Sequence, residues 1–213
     1  MIKANKKTLI ISSIMAVLPI FVGIYLWDQL PDVMATHFSL NGKANGFSSK
    51  PFGVFGVPTI CIVTLWFHAI VTSKSPRKQN ISSKTFCIPL WIYSFACLFA
   101  TAIIYLYNLG IKLDIVFFTM LFVGFLLILV GNYLPKVKQN YVIGIRTPWT
   151  LTNEDNWNRT HRFAGFLWII AGIIIVLNVL SGIMNTIWFI LPLIIAVPIP
   201  FIYSFVLHIS KEH

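Results

Sequence analysis

The chain has 213 residues, enough for one or two ordinary domains, yet 57% of them are hydrophobic and only 10% are charged. Soluble globules average about 45–50% apolar and about 25% charged residues, so a mean hydropathy of +0.82 excludes a water-soluble enzyme, a disordered chain and a secreted disulfide scaffold. Six spans of about 20 residues would absorb the apolar excess, and the net charge of +10 fits basic loops on one side of a membrane better than a nucleic-acid interface.

In chain order, apolar runs fall near 8–27, 52–72, 86–107, 114–134, 163–183 and 187–208. The first follows Lys3, Lys6 and Lys7 in the manner of a signal peptide. Its apolar stretch is too long for one, and no small-residue cleavage site closes it, so it reads as a retained helix. Cys61, Cys87 and Cys97 lie within apolar runs and read as packing residues. On the fifth run, Gly165 and Gly172 with Ala164 and Ala171 form a small-residue stripe suited to close helix contact. Pro192, Pro198 and Pro200 predict a bend or break in the sixth. No Asp, Glu, Lys or Arg stands in the middle of a run, which argues against an ion-coupled transporter.

With the N-terminus inside, the cytoplasmic face receives Lys3, Lys6, Lys7, Lys74, Arg77, Lys78, Lys84, Lys136, Lys138, Arg146, Arg159, Arg162 and Lys211. The other face receives only Lys43, Lys50 and Lys112. This asymmetry predicts cytoplasmic termini. The glycosylation triplets at Asn80 and Asn158 then fall inside and are dismissed. The expected fold is an all-α polytopic membrane helix bundle of six transmembrane helices.

Two loops hold most of the polar chemistry. The external loop, 28–50, contains Asn41-Gly42 and Asn45-Gly46, each of which favours a tight turn. His37 within it reads as a hydrogen-bonded structural residue or, with Asp28 and Asp32, as an acid–base or metal site, although the spacing fits no ligand signature. The cytoplasmic segment, 131–162, opens with turn formers and then resembles a helix start. Thr152 followed by Asp155 suggests a capping box, and Trp157, His161, Gly165 and Trp168 recur on one helical side. Lys136, Lys138, Arg146, Arg159 and Arg162 form a basic cluster for anionic headgroups or for a bound phosphate.

LPDVMATHFSLNGKANGFSSK resembles the external-loop pattern of the DUF1648 domain, with Asn45 standing where an acidic residue is frequent. GNYLPKVKQNYVIGIRTPWTL, continued through Trp157, Thr160, His161 and Gly165, resembles the signature of the SdpI family of bacterial membrane immunity proteins. The chain thus divides into a DUF1648-like region, 1–75, with two spans, and an SdpI-like region, 76–213, with four. Carried over by position, the matched residues outside are Pro31, His37, Gly42, Gly46 and Lys50. Inside they are Asn132, Pro135, Asn140, Gly144, Arg146, Thr147, Pro148, Trp149, Trp157, Thr160, His161 and Gly165.

The resemblance implies resistance to an antimicrobial peptide or protein toxin, and a signalling role in which a cytosolic transcriptional repressor is held at the membrane. The partners it implies are membrane lipids, the toxin and the repressor, with no direct nucleic-acid contact, no catalytic residue, no metal and no cofactor. A membrane-embedded enzyme or lipid- or anion-binding protein is the alternative, with His161 as acid or base and Arg146 and Arg159 on a phosphate.

Overall fold

The computed structural model describes residues 1–182 and 186–210. Among them, six helical stretches are long and apolar enough to cross a membrane: Lys3–Tyr25, Phe52–Lys74, Ser83–Asn108, Ile115–Lys136, Glu154–Leu180 and Ile187–Ile209. Each coincides with an expected run. The fifth starts nine residues earlier than its apolar core, because its polar lead-in and the span form one continuous helix; position 183 and Lys211 lie outside the described residues. The helices are α1 (Lys6–Tyr25), α2 (Val57–Lys74), α3 (Ser83–Asn108), α4 (Ile115–Tyr133), α5 (Pro148–Thr152), α6 (Glu154–Leu180), α7 (Ile187–Ala196) and α8 (Ile199–Ile209).

The chain forms two compact units, one of residues 1–74 and 82–115, the other of 75–81 and 116–213. Three spans fall in each. This division differs from the motif-based one at 75/76, since α3 packs with α1 and α2.

In the first unit, α1 and α3 are joined by a row of side-chain donors. Ser94 Oγ donates to Ser12 O (2.8 Å), Cys97 Sγ to Ala16 O (3.6 Å) and Tyr105 OH to Pro19 O (3.0 Å). Hydroxyl bonds between helices in hydrocarbon contribute modestly, about 0.6 kcal/mol each, so their main effect is to fix register. Gly23 makes the approach feasible, because a Cβ there would lie 2.6 Å from Tyr105 OH.

The loop between α1 and α2 folds as an antiparallel hairpin of β1 (Val33–Phe38) and β2 (Ala44–Ser49), which carries the only strands among the described residues. Asn41-Gly42 makes the turn, with Gly42 at φ 77°. Asn45-Gly46 does not form the second turn expected of it. It lies inside β2, where Gly46 pairs with His37 at an irregularity in the register. A Cβ on Gly46 would meet His37 Cβ at 2.8 Å, so glycine serves close strand approach there rather than a turn. Met34, fully buried, anchors the hairpin in a cluster with Leu30, Val54, Ile104 and Tyr105.

In the second unit, α4 and α6 approach backbone to backbone through a reciprocal glycine ladder. A Cβ on Gly165 would lie 2.6 Å from Gly131 O, and one on Gly172 2.5 Å from Gly124 O. The small-residue stripe foreseen on the fifth span therefore has a matching stripe at Gly124 and Gly131. The sixth span breaks as expected: Pro192 lies inside α7, Pro198 caps α8, and the helix restarts at Ile199.

Candidate functional site

In the hairpin, the motif residues serve different purposes. The backbone of Ala35 is held by the side-chain amide of Asn108, the last residue of α3. Asn108 Oδ1 accepts from Ala35 N–H (2.9 Å), and Asn108 Nδ2 donates to Ala35 O (2.9 Å). The amide thus imitates a neighbouring strand on the outer edge of β1. Phe38 and Tyr107 add an edge-to-face contact at 4.9 Å.

Lys50 is the basic anchor. Its stem is largely buried, its Nζ lies 3.1 Å from Asp32 and donates to Trp27 O (3.2 Å), and it stands 5.4 Å from the Trp27 ring centre. His37 is exposed and donates from Nδ1 to Asn45 Oδ1 (2.6 Å). Asn45, the residue that departs from the acidic pattern, therefore orients the His37 ring by accepting from its Nδ1–H. Among the described residues no hydrogen bond or ion pair joins Asp28 or Asp32 to His37, and Asp32 is committed to Lys50. Pro31 is exposed beside them.

The segment 134–165 in the second unit is far more buried. Asn140 is fully buried and meets all its hydrogen-bonding capacity locally. Its Oδ1 accepts from Val142 N–H (2.8 Å) and Ile143 N–H (2.7 Å), while Nδ2 donates to Lys138 O (2.8 Å) and Ile143 O (3.0 Å). A single side chain thereby shapes the turn that delivers Gly144.

Gly144 has φ 117°, a conformation other residues rarely adopt, and its missing Cβ leaves room for the His161 and Trp157 rings. Those rings stack at 4.0 Å. His161 Nδ1 donates to Trp157 O (2.8 Å) and its Nε2 accepts from Ile145 N–H (2.9 Å), which requires the neutral ring with its proton on Nδ1. Trp157 Nε1 donates to Val137 O (2.7 Å). Pro135 packs its ring on Gly165, and Asn132 is exposed on the last turn of α4.

The capping reading shifts by one motif. Thr152 is the last residue of α5 and donates back to Pro148 O (3.0 Å). The cap of α6 is Asn153, whose side chain accepts from Asn156 N–H (3.0 Å). A reciprocal capping box does exist, but between Thr147 and Thr150 at the start of α5, with Pro148 in the first helical position. Trp149 then reaches α8: its Nε1 donates to Ser204 Oγ (2.7 Å), and its ring stacks on His208 at 5.7 Å. Asn156 donates to Ser204 O (2.9 Å) and accepts from Thr160 Oγ1 (3.1 Å).

The basic cluster is split by these demands. Arg146 is exposed and its Nη1 donates to Tyr141 O (2.9 Å); Arg159 faces Asp155 one turn away at 3.9 Å. Residues that the sequence reading did not single out complete the structure, namely Gln139, Thr150, Asn156 and Ser204 here and Asn108 in the hairpin. Each is a polar residue in or beside an apolar helix. That rarity was the available signal, but without the fold it names no partner.

Comparison with known proteins places these two assemblies in a family. A model described as the SdpI/YfhL protein family matches residues 136–204, and one described as a domain of unknown function, DUF1648, matches residues 14–71. The immunity protein SdpI of Bacillus subtilis (strain 168) is 33% identical over 181 residues, covering 83% of this chain and 84% of that protein. No solved structure matches the chain significantly.

Proposed function

Because the chain belongs to the SdpI/YfhL protein family, a family of multi-pass bacterial membrane proteins with an immunity protein among its members, we propose that it protects its cell from an antimicrobial peptide or protein toxin. The hairpin faces outward as the toxin-facing surface, and segment 134–165 faces the cytoplasm as a docking platform for a cytosolic repressor. The thirteen-to-three distribution of basic residues supports this orientation.

One observation carries the non-catalytic reading of the platform. Its candidate acid or base is committed to the fold: both His161 nitrogens are bonded to backbone. An acid–base residue needs a free nitrogen within reach of substrate. A rigid surface presenting Arg146, Pro148 and Thr152 suits recognition of a protein instead. At the other loop, the exposed His37, Pro31 and Asp32, with the apolar Val33 and Phe47, offer a contact surface held by Asn108 and Lys50.

The test is complementation. A Bacillus subtilis strain lacking its SdpI, expressing this chain, is challenged with the toxin against which that relative gives immunity. Protection is expected, reduced by His37→Ala and retained by Arg146→Ala, whereas Arg146→Ala lowers repressor recruitment to membranes. Sensitivity equal to the empty strain, with the chain present in the membrane, would overturn the reading.

A further inference from the structure

We infer that Arg77 is a positioning residue that sets the conformation of the 139–151 segment; the inference deepens, and rests on, the reading of that segment as a recruiting platform. The loop between α2 and α3 has an unusual membership. Both flanking helices belong to the first unit, yet residues 75–81 belong to the second. The chain leaves the first unit at Lys74, adds seven residues to the second, and returns at Ser82.

The loop is fastened at one point. Arg77 Nη1 donates to Gln139 Oε1 (2.6 Å) and to Leu151 O (3.2 Å), and its guanidinium lies 5.0 Å from the Tyr141 ring centre. Asn80 Nδ2 donates to Gln139 O (2.8 Å), and Gln139 Nε2 donates to Thr150 O (2.7 Å). Gln139 is thus gripped from the loop on its backbone and side chain, and itself grips α5. Leu151 O belongs to the last turn of α5, where Asn153 ends the helix and leaves carbonyls without helical donors. Arg77 supplies one.

The fastening is local to Arg77 and Asn80. Ser75 Oγ, buried at the start of the loop, has no hydrogen-bond partner, and Lys78 is exposed. Arg77 is half-buried and committed inward, so it is not available as the recruiting charge that its basic loop suggests. Lysine would not fully replace it, because an ammonium lacks the planar, delocalised face that the guanidinium lays on the Tyr141 ring.

Hydrogen exchange on the full-length protein in lipid nanodiscs tests this without any toxin. Arg77→Ala is expected to raise exchange at 139–146 about tenfold, as losing a charged hydrogen bond implies, with 33–49 unchanged. Arg77→Lys is expected to raise exchange there less. If Arg77→Ala does not assemble, Tyr141→Leu, which removes only the stacking face, is expected to give a smaller change confined to the same region. Unchanged exchange at 139–146 in the Arg77 and Tyr141 variants overturns the inference. Loss of protection in the toxin challenge with this exchange pattern intact would instead overturn the immunity reading alone.

Discussion

The indole of Trp168 donates to the carbonyl of Ala196 at 2.9 Å. In a continuous helix that carbonyl would accept from the residue four positions on, which is Pro200 and has no N–H. The fifth span thus supplies the donor that the break in the sixth removes, and α7 and α8 can diverge without leaving a bare carbonyl in hydrocarbon. Trp168→Phe keeps an aromatic side chain, smaller by the pyrrole part of the indole, and deletes the donor. It is expected to destabilise the protein by about 1 kcal/mol, measured as a lower unfolding midpoint in detergent, with α8 exchanging faster than α1. An unchanged midpoint would show that another group takes over the carbonyl.

Gly172 lies where a Cβ would come within 2.5 Å of Gly124 O and 2.7 Å of Ile128 Cγ1. Backbone cannot yield there as a flexible side chain could. Gly172→Val is expected to force α4 and α6 apart and to cost about 1–3 kcal/mol, the usual range for overpacking. Gly182→Ala makes the control: it has open space but positive φ, so it strains one residue without separating helices. A Gly172→Val protein as stable as wild type would mean that α4 slides freely on α6.

Much of this fold was legible because the bilayer imposes a length and prolines impose breaks. The six runs, the break around Pro198 and the turn at Asn41-Gly42 follow from such local rules. The errors arose where two local rules competed and a distant residue decided. Asn45-Gly46 has turn chemistry, but pairing with His37 draws it into a strand. Thr152 and Asp155 have capping chemistry, but Thr147 and Pro148 start a short helix just before, which consumes Thr152 and leaves the cap to Asn153. Asn108 with Ala35 and Arg77 with Gln139 are separated by 73 and 62 residues, and no periodicity in one sequence reports such pairs.

His37 is exposed and makes one side-chain bond, to Asn45. Its removal is expected to leave the unfolding midpoint within about 0.5 kcal/mol of wild type, as for most surface substitutions. Lys50→Ala contrasts with it. It leaves Trp27 O and Asp32 without their cation and empties a largely buried stem position, so the hairpin is expected to exchange faster throughout 33–49. A His37→Ala protein that melts early would place His37 among the structural residues and remove it from the contact surface.

Gly144 and His161 share one small space, and their substitutions are coupled. Gly144→Ala strains a backbone at φ 117° and drives a methyl group into the His161 ring, at an expected cost of about 1–3 kcal/mol for the strain alone. His161→Ala opens that space but leaves the Ile145 N–H buried without its acceptor, which costs about 1–3 kcal/mol. In the double variant the methyl group enters the vacated volume, so the steric part of the first loss is relieved while the backbone strain persists. The combined destabilisation is therefore expected to fall below the sum of the two single effects by about 0.5 kcal/mol or more, as for residues in contact. Unfolding of the four proteins, followed by the fluorescence of buried Trp157 and its neighbours, measures the difference. Strict additivity would mean that the ring moves aside in the Gly144→Ala protein, and that the turn built by Asn140 is softer than its four hydrogen bonds imply.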